Sequence, residues 1–103
     1  MDREQAARKK HNSGYSCASA VYFAFTDVVS GTAPIPRSEG GKCGAVLAAE
    51  KVLKQQGLDI TGFQVAFIIQ YGSLKCDALR HARHACNDLV GTAARLVSEV
   101  MKE

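Results

Sequence analysis

The segment Ser30–Gly41 holds both prolines of the chain and three of its nine glycines. Proline has no amide hydrogen to give a helix, and glycine loses the most backbone entropy on ordering, so no regular helix runs through these residues. The chain must fold as one piece before this segment and another after it, with a loop between them of a length that is often functional. Twelve residues span about 40 Å when extended. The helix expected before them is only ~20 Å long at ~1.5 Å per residue. The loop can therefore return the chain to the end of the molecule from which that helix started.

Helical spacing dominates on both sides. Residues 2–10 read as a short exposed helix, stopped by Asn12-Ser13-Gly14. Ser16 can cap a helix to about Val29, with Cys17, Val21, Ala24, Phe25 and Val28 spaced three and four apart. A third helix is expected over about Lys42–Gln56, with Ala45, Val46, Ala49, Val52 and Leu53 buried and Gly57 ending it. Asp59 or Thr61 can cap a fourth, apolar on most sides through Phe63–Ile69 and therefore expected to be central. Gly72-Ser73 ends it. The last helical stretch opens at Cys76 and carries the stripe Ala82, Cys86, Leu89, Val90, Ala93, Val97, Val100 and Met101, with a break that cannot be placed. The run Val65–Ile69 is too short for periodicity to separate strand from helix, but a lone strand would have no partner. The expected fold is all-α, a bundle of four or five helices, with 1–103 as a single domain and 1–13 as a peripheral helix. A chain of 103 residues, 47% hydrophobic and 22% charged, suits one hydrophobic core.

The net charge of +3 does not mark a nucleic-acid binder, whose basic residues are more numerous and clustered. Arg8-Lys9-Lys10 and Arg80, His81, Arg83, His84 read as solvated helix surface. No stretch approaches the ~20 apolar residues that span a bilayer. Met1-Asp2-Arg3-Glu4-Gln5 is not followed by the apolar run of a signal peptide. A cytoplasmic location without nucleic acid or membrane partners is the expectation.

In a reducing compartment, the four cysteines need another explanation than structural disulfides. There such a count more often means metal binding or thiol chemistry. Cys17, Cys43 and Cys76 fall near expected helix starts. If the loop returns the chain to its starting end, all three share that end, and a kink would bring Cys86 to it. Unpaired amides at a helix start favour a thiolate, so lowered thiol pKa values are expected there. The spacings of 25, 32 and 9 intervening residues contain no Cys-x-x-Cys and match no zinc ribbon. His81 and His84, three apart, could join Cys76 and Cys86 in a mixed site, although Arg80 and Arg83 beside them would repel a cation. Gly40-Gly41-Lys42 lacks the spacing of a phosphate-binding loop. The serines read as caps and turns, and Tyr15, Tyr22, Phe23 and Phe25 as core or dimer surface.

Read in order, these pieces form a pattern. Cys17 opens Ala18-Ser19-Ala20-Val21. Gly40-Gly41-Lys42 leads into Cys43-Gly44-Ala45-Val46-Leu47-Ala48-Ala49. Tyr71-Gly72-Ser73-Leu74-Lys75-Cys76 follows, and Cys86 with Leu89-Val90 closes it. From about Gly14 to Val97 the chain resembles the redox-active four-cysteine family named for its C_GCAxxG_C_C pattern. It departs in placing Cys43 before Gly44, where the family label writes glycine first, and in carrying Ala48 where the family prefers glycine.

The resemblance implies a redox role for Cys17, Cys43, Cys76 and Cys86. They would either ligate an iron–sulfur cluster or cycle between thiol and disulfide, with an electron-transfer protein as partner. Gly41, Gly44 and Ser73 are the pattern's non-cysteine positions expected near a cofactor. Two other readings stay open: a structural zinc site on the same cysteines within an interaction module, and a helical interaction protein with inert cysteines. A homodimer is compatible with each, and whether the protein is an enzyme is left undecided.

Overall fold

The computed structural model describes residues 2–35 and 40–103. Pro36, Arg37, Ser38 and Glu39 of the proline–glycine segment lie outside the described residues. Ser30–Ile35, on its near side, is neither helix nor strand.

The described residues form six α-helices: α1 (Arg3–Asn12), α2 (Cys17–Phe23), α3 (Gly44–Gln55), α4 (Thr61–Tyr71), α5 (Cys76–His81) and α6 (Cys86–Val100). The all-α class is as expected, and the count exceeds four or five because the last expected helix is two. After His81 the chain turns through Arg83, which adopts a positive φ of 64°. The Arg83 amide donates to the Arg80 carbonyl, and the His84 amide to the Leu79 carbonyl. This pair of bonds is the helix-ending motif in which glycine normally takes the left-handed position. An arginine there carries no breaker signal, so the end of α5 is silent in the sequence.

Local chemistry sets the other boundaries. Asp2 caps α1 by accepting from the Gln5 amide, and Ser16 caps α2 by accepting from the Ser19 amide. Asp59 accepts from the Thr61 amide at the entry to α4. The second helix stops at Phe23 rather than near Val29, and the chain continues in turns in which Val28 and Val29 both donate to the Phe25 carbonyl.

The core lies between α2, α3 and α6, which pack on one another, while α1 lies along α6 and α2, and α4 against α6. The most continuously buried helix is α3: Gly44 to Glu50 is buried without interruption. Its alanines allow neighbouring backbones to approach on more than one side. The fourth helix is not central. It buries Phe63 and Phe67 and leaves Val65, Ile68 and Ile69 exposed. Apolar composition all round was a misleading guide, because Phe63 and Phe67, with the partly buried Ala66 and Tyr71, make the contact with the core and leave the other apolar positions to solvent.

Two polar devices tie the bundle together. The buried Tyr22 hydroxyl donates to the Ser30 carbonyl and accepts from the Gln55 side chain, joining α2, the following loop and α3. Arg8 of α1 bonds Glu4 and reaches the carbonyl and side chain of Asn87 and the carboxylate of Asp88 at the start of α6. Gly91 permits this approach, since a Cβ there would collide with the Arg8 guanidinium. The helix expected at the periphery is thus docked on α6, with Ala7 fully buried.

Candidate functional site

Each cysteine stands at a helix start. Cys17, Cys76 and Cys86 are the first residues of α2, α5 and α6, and Cys43 is the N-cap of α3. Cys86 reaches this position through the break at Arg83; along an unbroken helix it would lie ~15 Å beyond Cys76.

A short antiparallel bridge between Lys42 and Lys75 aligns two of these starts. The Cys43 amide donates to the Leu74 carbonyl, and the Cys76 amide to the Gly41 carbonyl, both at 2.9 Å. The amides of an N-cap and of a first helical residue have no partner within their own helices. Here each finds one in the other's approach segment.

All four cysteines line one cavity of about 330 Å³, together with His11, Ser16, Gly44, Leu79, Arg80, His84 and Leu89. All four are free thiols, Cys43 buried, Cys17 and Cys76 partly buried, and Cys86 exposed. Burial pushes the Cys17 thiol up to about 12, and the neighbouring thiols of Cys86, Cys43 and Cys76 add to the effect. Burial raises Cys43 as well, although the amides of Ala45 and Val46 pull the other way. The lowered values expected from helix starts are therefore reversed at Cys17 and Cys43. Desolvation of the charged form outweighs the terminal amides.

Among the other expected site residues, Gly44 lines the cavity, and Gly41 serves it through the carbonyl that holds Cys76. Ser73 is a turn residue, its hydroxyl accepting from the Lys75 amide. His84 lines the cavity, its ring edge-to-face with Tyr71 at 4.8 Å, whereas the exposed His81 is not part of the lining.

His11 is the residue that sequence reasoning missed. Its Nε2 lies 3.8 Å from Cys17 Sγ, and its Nδ1 lies 3.3 Å from Asn87 Nδ2. The Asn87 amide is oriented by Arg8, which donates to its oxygen, and by Asn12, whose side-chain oxygen accepts from its nitrogen. An Asn87 N–H donated to Nδ1 selects the neutral tautomer with its N–H on Nε2, toward the sulfur. Its position in a charged helix, well before the first cysteine, gave no sign of this.

Four thiols on one cavity are suitable donors for an iron–sulfur cluster or zinc. Among the described residues, however, no group of three or more His, Cys, Asp or Glu side chains is gathered as a metal site requires. As placed, the donor chemistry fits a metal and the spacing does not. No helix among the described residues is long and apolar enough to cross a membrane. Compared with protein-family models, curated proteins and solved structures, the chain matches none.

Proposed function

We propose that this protein is a dithiol–disulfide redox protein in which Cys17 and Cys86 are the exchanging pair. The observation that carries this reading is the convergence of all four thiols on one cavity, with Cys86 exposed at it and Cys17 half-buried behind. The exposed Cys86 sulfur is the one an incoming partner can reach, and the half-buried Cys17 is positioned to close the disulfide. His11 offers its N–H to the Cys17 sulfur as that sulfur becomes anionic. Cys43 and Cys76, joined through the backbone bridge, form the inner wall. The resemblance to the four-cysteine redox family supports the same chemistry, with an electron-transfer protein as the expected partner.

An iron–sulfur or zinc centre would use the same sulfurs but would need them drawn inward. Protein purified without oxygen and equilibrated across dithiothreitol redox buffers distinguishes the readings. The thiol–disulfide reading predicts a reversible two-electron transition that consumes two thiols, in protein free of stoichiometric metal. Stoichiometric iron or zinc that blocks these thiols, or thiols that never pair, would overturn it.

A further inference from the structure

We infer that the co-substrate of this site is a small disulfide bearing carboxylates, held by Arg80 while its sulfurs meet Cys86. The inference rests on the thiol–disulfide reading above and adds the class of molecule to it.

The cavity walls carry the case. Among the described residues, the lining contains one guanidinium, two imidazoles, four thiols and the leucines Leu79 and Leu89, and no carboxylate. Arg80 has no ion pair or side-chain hydrogen bond among the described residues, while Arg3, Arg8 and Arg95 are all engaged with carboxylates. The acidic residues nearest in sequence do not answer it: Asp88 is drawn to Arg8, and Asp77 is exposed outside the lining. An exposed guanidinium at a cavity wall, without a partner among the described residues, favours a planar anion such as a carboxylate, which it can hold with two parallel hydrogen bonds. A volume of about 330 Å³ lies at the small end of the ~300–1,000 Å³ range of ligand pockets. That size fits a small molecule, and the leucines suit its methylene groups.

The chemistry balances as two exchanges. The Cys86 thiolate attacks one sulfur of the bound disulfide. That S–S bond breaks, one half leaves as a thiolate and takes a proton from water, and the other half stays linked to Cys86. Cys17 gives up its proton to water and attacks the Cys86 sulfur, releasing the second half as a thiol. The protein loses two electrons and two protons, and the disulfide becomes two thiols.

Three disulfides of similar size test this: dianionic 3,3′-dithiodipropionate, neutral 2-hydroxyethyl disulfide and dicationic cystamine. Free thiolates, being anions, react fastest with the cation. Reduced full-length protein at low salt should reverse that order, oxidising about tenfold faster with the dianion than with cystamine, as expected of a charge focused in a cleft. Arg80→Gln should remove most of this preference, whereas Lys54→Gln, with the same change in net charge, should keep it. An order unaltered by Arg80→Gln, or the intrinsic order in the native chain, overturns the substrate assignment and leaves the redox reading intact. Failure of all three disulfides to form a protein disulfide overturns the redox reading itself.

Discussion

Cys43 and Cys76 are held side by side by backbone alone: each donates its amide to a carbonyl in the segment leading to the other, at 2.9 Å. The bridge is independent of what the sulfurs do, so the inner wall of the cavity is set before any ligand or disulfide forms.

Gly41 is the weak point of that bridge, because its φ of 76° is costly for a branched side chain. Gly41→Val should cost about 1–3 kcal/mol in chemical denaturation and loosen the Cys76 helix start. Gly41→Asn should cost less, since asparagine tolerates that conformation.

Asn87 holds α1 to α6 and orients His11. Asn87→Ala should destabilise by about 1–2 kcal/mol. His11→Ala should leave melting nearly unchanged but shift the redox potential of the Cys17–Cys86 pair, because the imidazole acts on the Cys17 sulfur. Potential and stability measured on both variants separate docking from chemistry.

Stability should depend on alkaline pH through Cys17. Its thiol titrates near 9.0 when unfolded and is pushed up to about 12 by burial. Between those values the unfolded chain binds fewer protons than the folded one, so stability falls as pH rises. The contribution is complete below pH 9.0 and lost by about pH 12. Cys43, raised in the same direction, adds to the slope. Thermal melts over this range should flatten in Cys17→Ala. At neutral pH, alkylation followed by mass spectrometry should label the exposed Cys86 first and the buried Cys43 last.

Much of this architecture is legible in the residues. Ser16 and Gly57 mark helix ends as expected, and the stripe from Leu89 to Val97 is the buried face of α6. The shared cysteine end follows from the reach of the loop between two helices. What could not be read has specific causes. Arg83 does the work of a glycine, which hid the break that brings Cys86 to a helix start. The continuous burial of α3 comes from small side chains that permit close packing, whereas hydropathy pointed to α4. The raised thiols at Cys17 and Cys43 depend on how deeply the fold buries them, which helix position alone does not give.

Two sets of substitutions check these corrections. Arg83→Gly should stabilise by up to about 1 kcal/mol by relieving the left-handed strain, and Arg83→Val should destabilise. Phe67→Ala should cost about 3–5 kcal/mol, while Ile69→Ser, at an exposed position of the same helix, should stay within about 0.5 kcal/mol.

Buried Glu50 is held by Lys42 and Gln64. Glu50→Ala should cost about 2–3 kcal/mol. That is below the ~3–5 kcal/mol of a fully buried broken pair, because Lys42 can turn outward to water. Denaturant titration of the variant gives the value.

Disulfide mapping of the oxidised protein by mass spectrometry without reduction is the most direct measurement. One bond joining the Cys17 and Cys86 peptides, absent after reduction and restored on reoxidation, is the predicted result. Oxidised protein with Cys17 and Cys86 both free, or each joined to another molecule and never to one another, would contradict the pairing on which the redox reading rests.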